Sequence, residues 1–208
     1  MQSKEKINNN EFKYVDLELP SGTLWATCNV GADKPSDYGM YFQWGDTSGY
    51  EAYKVGTGDG KKKFAPDSSD YKWYSGSTFT KYTTPGATLD LEDDAAHVHM
   101  GGDWHMPRPT QIQELLDNTT NTWVTMNDEN GRLFISNKDD SKYIFIPAAG
   151  LAFDGFVRNS DQLGCIWSSM ISSLGNLYGQ YLYFDMWGAK LYYGHERWLG
   201  MSVRGVIG

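Results

Sequence analysis

Apolar and polar positions alternate from Tyr14 to Leu19, the pattern of a strand with one buried face. Pro20-Ser21-Gly22 then turns the chain into a second short strand over Leu24 to Asn29. Tyr38 to Trp44 concentrates Tyr38, Tyr41, Phe42 and Trp44 and reads as packed core. Helical spacing shows in two places. Leu89 to His97 fits a short helix whose early acids sit at the positive end of its dipole. Pro107 to Asn118 fits a longer helix, with Thr110 as the expected N-cap, Gln113 three residues on, and Ile112, Leu115 and Leu116 on one face. Beyond Asn118 the period returns to two. Strands are expected over 122–126, 132–136, 143–147, 166–170, 181–186, 190–193 and 200–206, with Asn130-Gly131 turning between the first two. Two helices followed by a run of strands predict an α+β fold.

The length of 208 residues fits one domain. Residues 13–208 are assigned to it. Residues 1–12 are polar and are expected to be a flexible segment, frayed or tied to another element. Residues 46–86 are poor in aliphatic side chains and too long for an ordinary connection, so an ordered insertion or a mobile loop is expected. The chain is rich in Trp (8), Tyr (14), Phe (9) and Gly (23), which favours short strands and many turns.

A net charge of −8 argues against nucleic acid, since phosphate binding needs a basic face. The single basic run, Lys61-Lys62-Lys63, lies among Gly and Asp and reads as a solvated loop. Cys28 and Cys165 allow at most one disulfide and read as incidental or buried thiols. No apolar stretch approaches the ~18 residues of a span, so no membrane insertion is expected. The first residues lack an apolar signal-peptide core, so either no such leader is used or it has been lost.

Candidate chemistry is sparse. His97 and His99, near Asp93, Asp94 and Asp103, could build a metal site, but no metal-ligand motif is present, and local hydrogen bonding is the favoured reading. Adjacent Asp93 and Asp94 would point about 100° apart on a helix, so they stabilise its N-terminus rather than share a substrate. Nucleophile elbows and phosphate loops are absent. No metal, no cofactor and no enzymatic activity are expected.

The C-terminal segment differs. From Leu151 onward, aromatics recur and charges thin out. In Tyr181-Leu182-Tyr183-Phe184 the aliphatic face should turn inward and both tyrosines outward. Exposure is expected for Tyr181, Tyr183, Tyr192, Tyr193, His195, Trp198 and Leu199. Outward tyrosines on neighbouring strands form a rigid contact surface at low entropic cost.

Several phrases carry a resemblance. They are Val15-Asp16-Leu17 with Leu19-Pro20-Ser21-Gly22, then Leu24 to Ala32 (LWATCNVGA), Tyr41-Phe42-Gln43-Trp44-Gly45-Asp46, Leu91 to Val98 (LEDDAAHV), Gly101 to Pro107 (GGDWHMP), Phe145 to Gly150 (FIPAAG) and Gly200 to Arg204. Together, over residues 15 to 206, they resemble a lectin-like domain of Bacteroidetes and their phages. That domain is similar to the Fibrobacter-type paralogous domain and to the variable proteins of diversity-generating retroelements. The resemblance implies a C-type-lectin-like (formylglycine-generating-enzyme-like) fold with two helices and short antiparallel strands. It also implies a ligand site on the 148–208 segment, where adenine-directed mutagenesis rewrites outer residues. The positions carried over are Phe153, Phe156, Arg158, Leu163, Cys165, Tyr181, Tyr183, Tyr192, Tyr193, His195 and Leu199. Trp198 joins the ligand-binding set by its aromatic character, although Trp cannot arise from an Asn codon by changing adenines alone. The lectin calcium triplets are absent, and Cys165 lacks the partner that the enzyme branch requires. The implied function is non-enzymatic binding of a protein or glycan receptor on a cell surface, by a phage virion protein or a bacterial surface protein. A fixed-specificity carbohydrate-binding adhesin is the alternative. The oligomeric state stays open.

Overall fold

The computed structural model describes residues 5–7, 12–51, 71–153 and 156–208; the Lys61–Lys63 run lies outside them. The chain opens with β1 (Glu5–Ile7), β2 (Lys13–Asp16) and β3 (Leu24–Asn29), followed by β4 (Met40–Phe42) and β5 (Tyr50–Glu51). A small hairpin of β6 (Tyr74–Ser75) and β7 (Thr78–Phe79) precedes a 3-10 turn at Leu91–Asp93. Two helices follow, α1 (Ala95–Met100) and α2 (Pro109–Asn118). Next come β8 (Thr119–Met126), β9 (Glu129–Ser136), β10 (Tyr143–Pro147), β11 (Leu151–Phe153) and β12 (Phe156–Arg158). The C-terminal part comprises β13 (Leu163–Ile171), β14 (Tyr178–Asp185), β15 (Ala189–Glu196), β16 (Met201–Ser202) and β17 (Arg204–Ile207).

The expected α+β, C-type-lectin-like class does not hold. Strand accounts for 46% of the structure and helix for 11%, so the fold is β-rich. The helical periods were read correctly as elements but given too much weight. Each helix is short, and two sheets assemble from strands at both ends of the chain. One has the order β1-β2-β3-β17, the other β15-β14-β13-β16-β4-β5; a third, β10-β9-β8, is a local meander.

Two local corrections follow from backbone chemistry. The β8–β9 turn is Asn127-Asp128, not Asn130-Gly131: both residues have positive φ (51° and 66°), and Met126 pairs with Glu129 across a two-residue loop. Helix α2 begins at Pro109, whose fixed φ suits a first helical position, so Thr110 is already inside it. Its N-terminus is closed instead by the Gln111 side chain, which accepts the Arg108 N–H at 2.9 Å. At α1, Asp94 is the N-cap, accepting N–H bonds from His97 at 3.0 Å and from Met106 at 2.8 Å.

The large sheet has a core on each face. Ile166, Leu182 and Phe184 pack with Ile112 and Leu115 of α2 and with Phe134. Cys165, Trp167 and Tyr181 turn the other way, towards Trp44, Leu199 and Met201. The alternation along β13 and β14 therefore feeds two cores, because side chains one residue apart leave opposite faces. Two arginines with no carboxylate partner among the described residues fasten the periphery. Arg204, fully buried, donates to Asn29 Oδ1 and to the carbonyls of Ala26 and Phe145. Arg197, also fully buried, donates to Tyr71 Oη and to the carbonyls of Lys81, Tyr82 and Asn176, and so holds residues 71–86, the later described part of the 46–86 insertion, to the body.

Candidate functional site: an aromatic depression at a sheet edge

The face of the large sheet that buries Cys165 and Trp167 runs outward across β14 to β15 and becomes exposed. Tyr181 pairs in register with Trp167 on one side and Tyr192 on the other; Tyr183 lies between Cys165 and Lys190. Burial falls along this row, from Trp167 (0% exposed) and Tyr181 (4%) to Tyr192 (40%). The site is thus the open margin of a core, and its inner wall is rigid by packing.

A β-bulge completes it. Gly179 pairs with His195 and Tyr181 with Tyr192, so the single residue Gln180 opposes both Tyr193 and Gly194. The extra residue puts Tyr192 and His195, three apart, on the same face as Tyr181, which strict alternation forbids. Gly194 suits the bulge because a Cβ there would lie 2.4 Å from Tyr178 Cβ. The result is an open depression of about 490 Å³ lined by Tyr181, Tyr183, Asp185, Lys190, Tyr192, Gly194, His195 and Glu196.

Its rings contact one another. Tyr181 and Tyr192 are stacked with centroids 5.4 Å apart, Tyr183 meets Tyr192 edge-on at 5.7 Å, and His195 tilts against Tyr181 at 6.1 Å. Such pairs contribute about 0.5–1.5 kcal/mol each beyond area burial and fix ring orientation. Lys190 Nζ lies over the Tyr192 ring at 4.7 Å and 5.9 Å from that of Tyr183.

The polar groups are oriented too. Tyr183 Oη donates to Asp185 Oδ2 at 2.9 Å, and Asp185 Oδ1 accepts the N–H groups of Trp187 and Gly188. Desolvation works against the Asp185 carboxylate, but the bonds from Tyr183, Trp187 and Gly188 outweigh it and hold its pKa below the usual value. Desolvation and then the Asp185 carboxylate push the Tyr183 phenol up to about 12. At the far end, His195 Nδ1 meets Glu196 Oε2. The arrangement offers aromatic faces with two carboxylates and a lysine.

The residues expected from the sequence separate into groups. Tyr181, Tyr183, Tyr192 and His195 come together in the depression. Tyr193, 65% exposed, stands at the bulge but outside the lining. Phe153, Phe156 and Arg158 form their own cluster on the β11–β12 hairpin, with the guanidinium 5.2 Å from Phe153 and 5.6 Å from Phe156. Leu163 and Trp198 are half-buried against the core. Two expectations of exposure are corrected: Tyr181 and Leu199 are buried, and so is Cys165, which the resemblance places among the ligand-binding positions. They belong to the second core, on the sheet face that single-sided alternation leaves open. Tyr181 still reaches the depression with one edge. Burial pushes the Cys165 thiol well above its ordinary pKa, so it is no reactive thiolate.

Sequence reasoning passed over Asp185, Lys190 and Glu196, and also Met186 and Trp187 at the tip of the β14–β15 hairpin. Trp187 is 86% exposed. A Trp beside Gly188 at a strand end is the signal that could have drawn attention to it.

The other candidate clusters are occupied internally. His97 Nδ1, His99 Nε2 and both ring nitrogens of His105 lie within 3.1 Å of backbone carbonyl oxygens. Asp90, Glu92 and Asp93 converge closely enough to hold a cation, but Lys81 Nζ sits among them at 2.9, 3.1 and 2.6 Å. Among the described residues, no helix is long and apolar enough to cross a membrane. The chain matches no protein-family model, no curated protein and no solved structure.

Proposed function

We propose that this is a non-enzymatic binding protein that holds a receptor on the aromatic surface of its C-terminal segment. The observation that carries the reading is the depression on β14 and β15, where the Tyr183 and Tyr192 rings open to solvent against the buried Tyr181 and the core behind it. Interface anchors are typically aromatic side chains in well-supported pockets, with polar groups around them. Tyr193, Trp187 and Phe156 extend the exposed aromatic surface beyond it.

The resemblance to variable proteins of diversity-generating retroelements supports the same reading, and with it a place on a phage virion or a bacterial cell surface. The test is binding of the labelled protein to a panel of Bacteroidetes cells, with Tyr192→Ala and Tyr193→Ala beside the wild type. Both side chains are largely outside the cores, so both variants should fold and lose most binding. Wild-type binding by both would refute the reading. A glycan array separates a sugar ligand, the adhesin alternative, from a protein receptor.

A further inference from the structure

We propose that the depression takes the ammonium end of a lysine side chain presented by a protein partner, and that Lys190 is a built-in competitor for the same place. The inference rests on the reading of this surface as the binding surface and names what it binds. The protein's own geometry supplies the argument. Lys190 Nζ already lies over Tyr192 and near Tyr183, so these rings accommodate an ammonium group. Lys190 is exposed and makes no ion pair among the described residues, so it can swing into solvent at little cost.

Charge points the same way. The lining sets the carboxylates of Asp185 and Glu196 against one lysine, so it becomes more negative by one charge once Lys190 leaves. Both carboxylates are held by hydrogen bonds within the protein, Asp185 at one end of the lining and Glu196 at the other. The chain as a whole is at −8, which draws a basic partner at long range. An aromatic face flanked by fixed carboxylates favours a compact cation over a neutral group of the same shape.

The test uses n-butylammonium chloride as the probe and 1-butanol as its neutral counterpart, followed by the ring-proton NMR signals of the tyrosines. In Lys190→Ala, butylammonium should shift the Tyr183 and Tyr192 signals at a concentration about tenfold lower than in the wild type, in the range of cation–π gains at a partly desolvated site. Butanol should not. Adding Glu196→Gln to Lys190→Ala should weaken butylammonium and leave butanol unchanged, a contrast that a general loss of structure would not produce. Equal responses of wild type and Lys190→Ala, or equal responses to the two probes, overturn the proposal. If butylammonium fails while Tyr192→Ala and Tyr193→Ala still abolish cell binding, the surface stands and its lysine occupant falls. If butylammonium binds but those two variants bind cells normally, the surface reading falls and takes the partner with it.

Discussion

Gly164→Ala should destabilise the fold through one ring, that of Phe184. Gly164 and Phe184 are register partners on β13 and β14, and the ring lies flat across the glycine. A Cβ at position 164 would fall 2.0 Å from Phe184 Cζ, 2.5 Å from Cε2 and 2.6 Å from Cε1. Van der Waals contact needs about 3.5 Å, so the ring must retreat by roughly 1.5 Å. It has nowhere to go: Phe184 is fully buried and packs edge-on against Phe134, within the cluster that also holds Ile112 and Leu182. Overpacking of this kind costs about 1–3 kcal/mol, while replacing a strand glycine by alanine returns about 0.5–1 kcal/mol of backbone entropy. The expected net loss is about 1–2 kcal/mol, read as a lower urea midpoint with an unchanged slope. Phe184→Leu removes the clash, so in that background only the backbone gain of about 0.5–1 kcal/mol should remain and Gly164→Ala should be neutral to stabilising, giving a coupling of about 1–3 kcal/mol. Equal costs of Gly164→Ala in both backgrounds would refute the assignment of the strain to this ring.

Other expectations are more local. Asp94→Ala removes the α1 cap and strands the buried Met106 N–H, for a loss of about 2–3 kcal/mol in urea denaturation; a loss under ~1 kcal/mol would mean that water replaces the carboxylate. Asp128→Gly relieves a side chain held at φ 66° in the β8–β9 turn and should stabilise by about 0.5 kcal/mol, whereas any destabilisation would count against the turn. Tyr183 has a folded pKa of about 12 against an ordinary 10.0. Because the folded value is the higher one, its contribution to stability is complete below pH ~10 and is lost as pH rises from there through ~12. Tyr183→Phe should therefore lose less stability than the wild type between pH ~9 and ~11.5, and parallel losses would contradict the burial of the phenol together with its hydrogen bond to Asp185.

Much of the strand framework was legible because its signal is local. Leu24 to Asn29 and Tyr143 to Pro147 are short apolar-rich runs between turn residues, and the structure has strands with those bounds. What escaped depends on partners far away in the chain. Tyr181-Leu182-Tyr183-Phe184 reads the same whether one face or both are buried; Tyr181 is buried because it joins the cluster of Trp44, Trp167 and Leu199, and the last two lie far from Trp44 in the chain. The bulge at Tyr193-Gly194 depends on its pairing with Gln180, so no period in β15 alone could place His195 beside Tyr192. Nothing in the sequence around Arg197 shows that its donors close on the carbonyls of the adjacent Lys81 and Tyr82 and of Asn176, far from it in the chain.

The separation of scaffold from surface follows from that two-faced sheet. Side chains of β13 are spent on the cores in both directions, so Cys165, Ile166 and Trp167 are fixed by packing. On β15 the inner row, Ala189 and Leu191, still meets the α2 side of the sheet, while Lys190, Tyr192 and Tyr193 have water on their far side. A substitution at those outer three changes what the protein presents without opening a cavity, and surface changes of that kind typically stay within about 0.5 kcal/mol. The same change at Cys165, Tyr181 or Leu199 empties or overfills a core and costs several times more. A surface that must vary is therefore compatible with this fold on β15 and at the hairpin tip, and incompatible with it on β13. Any diversification of the segment must respect that boundary, whatever mechanism generates it.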